Sequence, residues 1–158
     1  MNDETPHTPF MKLGEMGLNN FVPYLMNRIM GRYNASIREE MVGLGLSTPK
    51  ARTLAVLSVN DGLLIRDLTV FTVTEQSTLS RALDQLQSDG FVRREADPSD
   101  NRAVRVFITD AGRSAFEVLW PHMAAAYARM FRGISENERL TFITILHKML
   151  ANVRKHDI

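Results

Sequence analysis

Residues 72–113 read TVTEQSTLSRALDQLQSDGFVRREADPSDNRAVRVFITDAGR. Three patterns follow one another in this stretch. Leu79, Ala82, Leu83 and Leu86 recur at three- and four-residue steps, the apolar stripe of a helix. Thr74 is the expected N-cap and Gly90 the expected residue just past the C-terminus. Phe91 to Glu95 and Ala103 to Thr109 then read as two strands. In the second, Val104, Val106 and Ile108 point one way and Arg105 and Phe107 the other. Between the strands, Ala96-Asp97-Pro98-Ser99-Asp100-Asn101-Arg102 is rich in turn formers, which predicts a hairpin with a projecting polar tip. Thr109 should cap the next helix, with Asp110 at its positive end.

Upstream, Thr48 is the expected N-cap and Pro49 the first residue of a helix carrying Leu54, Ala55 and Leu57, which stops at Asn60-Asp61-Gly62. A short helix with Leu64, Ile65, Leu68 and Phe71 follows. Helix, turn, second helix and hairpin make a winged helix-turn-helix over 47–109. Longer helices flank it. Phe21, Val22, Leu25, Met26, Ile29, Met30, Tyr33, Ile37 and Met41 mark the first, ended by Gly43 and Gly45. A second is expected over about 110–132. The third opens with the capping box Ser135…Glu138 and carries Leu140, Ile143, Leu146, Met149, Leu150 and Val153. The expected fold is mainly α with a small β-hairpin: a flexible arm over 1–17, helical regions over 18–46 and 110–158, and the winged domain between. The flanking helices are too apolar to stand alone in water.

Composition narrows the function. The chain has 158 residues, 44% of them hydrophobic, enough for a core. Its apolar runs fall short of the ~18–20 residues that span a bilayer, and MNDETPHTPF lacks the charge and apolar pattern of a signal peptide, so a cytoplasmic protein without a membrane partner is expected. Cysteine is absent, which excludes disulfides and thiol redox sensing. His7, His122, His147 and His156 show no metal-ligand spacing, so no metal site is expected. No nucleophile–base pair or phosphate-binding glycine loop is visible. No catalytic residues and no cofactor are expected, and the chain does not read as an enzyme.

The second helix of the central pair offers Glu75, Gln76, Ser77, Thr78, Ser80 and Arg81, then Asp84 and Gln85. A polar face is common on any helix, but lysine and glutamate usually dominate it. Short hydroxyl and amide groups allow close approach to a DNA major groove. The ordered series Thr72-Val73-Thr74-Glu75-Gln76-Ser77-Thr78-Leu79-Ser80-Arg81, Gly90-Phe91-Val92-Arg93-Arg94, Asp97-Pro98-Ser99-Asp100-Asn101-Arg102 and Ile108-Thr109-Asp110-Ala111-Gly112 resembles the MarR family of bacterial transcription regulators.

The resemblance implies a homodimeric repressor or activator, most simply a repressor, that binds double-stranded DNA on a pseudo-palindromic site. The flanking helices would then interlock between subunits. It further implies that Gln76, Ser77, Thr78, Ser80 and Arg81 contact bases or phosphates, and that Arg102 at the wing tip enters the minor groove with Asp100 orienting it through a charge-assisted bond. Glu75 would accept from a cytosine amine or only serve the helix dipole. Arg93, Arg94 and Arg105 would contact phosphates or brace the hairpin. A small aromatic or phenolic effector would lie near Tyr24, Met26, Met30, Tyr33 and Trp120, although methionines at helical spacing are more often plain core. One feature argues the other way. Thr74 to Arg113 holds six arginines, no lysine and seven acids, and so nets −1. That balance leaves open a winged-helix protein-interaction module without DNA binding. If DNA is bound, placed arginines must do it, with modest non-specific affinity and a shallow salt dependence.

Overall fold

The hairpin is part of a three-stranded antiparallel sheet. The computed structural model describes residues 11–158, so His7 and most of the arm expected over 1–17 lie outside the described residues. The elements are α1 (Leu13–Met16), a 3-10 turn (Leu18–Asn20), α2 (Val22–Gly43), α3 (Thr48–Val59), β1 (Leu63–Leu64), α4 (Ile65–Phe71), α5 (Gln76–Ser88), β2 (Val92–Ala96), β3 (Val104–Ile108), α6 (Asp110–Met130) and α7 (Glu136–Val153). Two compact units form, one ending at Ser36 and one starting at Ile37. In the first, no described residue is buried.

In the second unit the core is built from Leu54 and Leu57 of α3, Leu68 of α4, Leu79, Leu83 and Leu86 of α5, Val106 of β3 and Leu119 of α6, all fully buried. Each such side chain contributes about 1.5–3 kcal/mol by leaving water. The strand order is β1-β3-β2. Val92 to Ala96 pair with Ile108 to Val104, and Leu63 and Leu64 pair with Val106 and Arg105. Leu64 is thus in a strand and not, as the pattern suggests, in the helix after it. Two residues are too few for alternation to show in a sequence; β1 exists because β3 offers it an open edge.

Two expected caps move by one residue. Ser47, not Thr48, caps α3 by accepting from the Lys50 N–H, and Pro49 falls at the second helical position. Glu75, not Thr74, stands at the N-cap of α5, without a side-chain cap bond. The Thr74 hydroxyl instead donates to the Thr72 carbonyl at 3.0 Å, a local bond of the kind that competes with capping. Just before it, Val73 holds φ 50, which is uncommon for a β-branched residue and strained.

The other caps are as expected. Gly90, at φ +77, follows the α5 C-cap Asp89; its N–H reaches Gln87 and the Phe91 N–H reaches Leu86, the paired bonds of a Schellman end. Thr109 accepts from the Gly112 N–H at 3.1 Å and donates to the Gly90 carbonyl at 2.6 Å. One hydroxyl thereby starts α6 and ties it to the end of α5. The Ser135–Glu138 capping box is formed.

Two further contacts set the position of α5. Lys50 is buried, and its ammonium donates to the Gly45 carbonyl at 2.8 Å and to Asp89 at 3.1 Å. Arg52 reaches the Thr72 carbonyl at the other end of the helix-turn-helix. Gly112 lets α6 cross the sheet closely: a Cβ there would lie 2.2 Å from the Phe91 carbonyl oxygen and 2.9 Å from Ile108. Backbone cannot yield as a side chain can. We therefore expect Gly112→Ala to destabilise by about 1–3 kcal/mol, the scale of overpacking, in urea unfolding. Gly43→Ala, with nothing within 4 Å, serves as the control and should shift stability by less than about 1 kcal/mol.

Candidate nucleic-acid interface

The α5 helix buries Leu79, Ala82, Leu83 and Leu86 and leaves Gln76, Ser77, Thr78, Ser80, Arg81, Asp84 and Gln85 exposed, with Glu75 exposed at its start. The side chains available for groove reading therefore sit on one face. The first turn keeps its N–H groups uncapped by side chains, and a helix N-terminus favours phosphate.

The wing tip is organised by Asp97. This residue is 3% exposed. Its Oδ1 accepts from the Ser99 hydroxyl, from the Ser99 N–H at 2.8 Å and from the Asp100 N–H at 3.2 Å; its Oδ2 accepts from Arg105 Nε. Arg105 also donates to the Gly62 carbonyl at 2.8 Å, which carries the link to the β1 edge. The Asp97 N–H donates to the Ala103 carbonyl and the Ala103 N–H to the Asp100 carbonyl, closing the turn. Hydrogen bonds from the Ser99 side chain and backbone, helped by Arg105, hold the Asp97 carboxyl down to about 2 from an ordinary 3.8.

Asp100 does meet Arg102, but through the backbone: its Oδ1 accepts the Arg102 N–H at 3.0 Å. It fixes the chain on which Arg102 sits and leaves the guanidinium unengaged. The reason is local, since an aspartate side chain reaches a backbone N–H two residues on more readily than a mobile guanidinium.

The six arginines of this region divide clearly. Arg93 stacks over Phe107 at 4.4 Å and pairs with Glu95 at 2.9 Å. Arg94 donates to Gln87 and Asp84, lacing β2 to α5. Arg105 holds Asp97 and Gly62. Arg113 holds Asp61 at 3.1 Å and the Ser58 carbonyl. Arg81 and Arg102 are exposed, and among the described residues neither has an ion pair or side-chain hydrogen bond. One stands on the exposed face of α5 and the other at the wing tip. For Arg94 and Arg105, sequence reasoning left phosphate contact and bracing open; the bonds observed are bracing bonds.

Tyr24, Met26, Met30 and Tyr33 all lie on α2, where Met26 and Met30 are exposed and the tyrosines half-buried; Trp120 lies on α6 and is exposed.

Comparison with known proteins agrees with this geometry. The sequence pattern of the MarR family matches residues 44–103. A MarR-family transcriptional regulator from Silicibacter pomeroyi, solved by crystallography, is 59% identical; the match covers 94% of this chain and all of that one, with a TM-score of 0.89. This chain belongs to the MarR family. It is a DNA-binding transcription regulator of the winged-helix type. The HTH-type transcriptional repressor IacR of Pseudomonas putida is 25% identical over 139 residues, covering 88% of this chain and 81% of IacR. Bordetella bronchiseptica BpsR, 24% identical over 81% of this chain and 97% of its own, shares the fold with a TM-score of 0.70. Family membership does not favour the interaction-module alternative.

Two residues of this MarR-family domain escaped the sequence reading. Asp97 was legible only as a turn former, yet it is the wing's internal anchor. Asp61 was legible only as a helix stop, yet its carboxylate accepts from the Ile108 N–H at 2.9 Å as well as from Arg113. An acid ahead of a glycine or proline carries no mark of a long-range partner.

Because the folded Asp97 carboxyl titrates below its ordinary value, its contribution to stability is complete above about pH 4 and is lost as pH falls toward 2. A carbon-detected NMR titration of Asp97 should show a midpoint near 2, with the Ser99 and Asp100 amide shifts moving in step. A midpoint near 3.8 would contradict the hydrogen-bond network.

Proposed function

We propose that this regulator works in the cytoplasm as a homodimeric repressor of a pseudo-palindromic operator, released by a small aromatic or phenolic effector. The carrying observation is the pair of unpartnered arginines. Within 74–113, where Arg93, Arg94, Arg105 and Arg113 are paired with acids of the same chain, Arg81 and Arg102 are the charges reserved for a polyanion. On this reading Gln76, Ser77, Thr78, Ser80 and Arg81 address the major groove and Arg102 the adjacent minor groove, where narrow A/T-rich segments concentrate negative potential. Residues 47–109 serve as the reading domain, 18–46 and 110–158 as the dimerisation region, and 1–17 as an arm.

Helix α7 supports the dimer. It carries Leu140, Phe142, Ile145, Met149 and Leu150, all exposed, and has no buried residue in its 18. A helix so apolar and so unburied needs a second surface. Two-fold pairing would offer two α5 helices to half-sites about one turn of DNA, roughly 34–36 Å, apart. Repression follows IacR, a transcriptional repressor. The effector class follows BpsR, whose DNA binding is regulated by 6-hydroxynicotinic acid. Tyr24, Met26, Met30, Tyr33 and Trp120 are the aromatic and thioether groups proposed to meet such a ligand.

The reading is tested by fluorescence anisotropy on the DNA upstream of the chain's own gene, with sedimentation to give the stoichiometry. A dimer should bind that DNA with a salt dependence that is present but shallow. Arg102→Ala should cost about 1–3 kcal/mol on the specific site and little on random duplex. Equal affinity of the variant and the parent protein for the specific site would remove the minor-groove role.

A further inference from the structure

Beside the reading face lies an open groove of about 1130 Å³, with Thr69 of α4, Gln76 of α5 and Arg102 of the wing in its lining. Its remaining basic residues come from two places outside α5 and the wing. Arg66 stands at the start of α4, and Lys155 and His156 stand in the segment 154–158 that follows α7. That segment is folded against itself: Arg154 leaves the helix in an extended conformation and its guanidinium reaches the Asp157 carbonyl. Lys155 and His156 thus share a groove with the wing of the same chain, although some fifty residues separate them in sequence.

We propose that Lys155 and His156, with Arg66, form a phosphate-binding extension of the DNA interface, gripping the DNA backbone beside the groove that Arg102 enters. The proposal rests on the DNA-binding reading given above and deepens it.

Charge carries the argument. Residues 74–113 net −1, so they cannot supply a general attraction for DNA. The groove reverses that balance locally. Its acids are Glu75 and Asp100, and the Asp100 carboxylate already accepts the Arg102 N–H. Among the described residues, no carboxylate lies within 4.0 Å of Lys155 or His156. The Arg66 side chain is 80% exposed, and its one ion pair among the described residues is a long one, 3.7 Å to Asp67. Exposed cations, unpaired or only loosely paired, at the rim of a groove next to a DNA-reading helix suit phosphate oxygens, which fix register without reading sequence.

The salt dependence of DNA binding tests this, because each neutralised phosphate adds about 0.9 to the slope of log K against log salt. The double variant Arg66→Gln/Lys155→Gln should keep its operator preference and lower the slope by about 1 to 2. Lys148→Gln, on α7 and outside the groove lining, removes a like charge and should leave the slope unchanged. If the parent protein binds its operator and the double variant has the same slope, the extension is refuted and the DNA reading stands. An equal fall in Lys148→Gln would assign the effect to bulk charge and refute the extension as well. If the parent protein binds no DNA, both readings fail. Thermal stabilisation by inorganic phosphate at matched ionic strength, abolished in the double variant while the DNA slope is unchanged, would make the groove a free-anion site and also overturn the proposal.

Discussion

The wing depends on one buried carboxylate. Asp97 collects two backbone N–H groups, a hydroxyl and a guanidinium, and through Arg105 it reaches the carbonyl of Gly62 at the β1 edge. Breaking a buried charged pair by removing one partner is far more harmful than never having had it. The tip that bears Arg102 is therefore held by side chains engaged within the domain. Lys50 does the corresponding work for the reading helix, pinning the C-cap of α5 from the first turn of α3. Both devices place a polar surface accurately on a small domain.

The same economy explains the charge balance. A region netting −1 looks ill suited to a polyanion. Once the internal pairs are assigned, Arg93, Arg94, Arg105 and Arg113 are neutralised within the domain by Glu95, Asp84, Asp97 and Asp61. The acids are largely structural, and net charge over a segment conceals which cations stay available. Placement, not total charge, distinguishes Arg81 and Arg102.

Much of this was legible in the sequence, for identifiable reasons. The stripe Leu79, Ala82, Leu83, Leu86, the alternation through Val104, Val106 and Ile108, the Thr109 cap and the Ser135–Glu138 box all express short-range rules, and each is present. The exposed set on α5 followed directly from the stripe. What escaped depends on distant partners. Leu64 pairs with Arg105 across the sheet, Asp61 reaches Ile108, and Asp97 binds Arg105. Thr74 lost its expected cap to a bond with Thr72, a choice between two local partners that residue type does not decide.

The central claim is that Asp97 serves DNA binding by positioning Arg102 and has no contact of its own. A double-mutant cycle with Asp97→Asn and Arg102→Ala, read as affinity for the specific operator, tests it most directly. Arg102→Ala should lose affinity in the parent protein and lose little more once Asp97 is replaced, giving a coupling of about 0.5–3 kcal/mol. Strictly additive losses would mean that the wing presents Arg102 without help from Asp97, and would contradict the account.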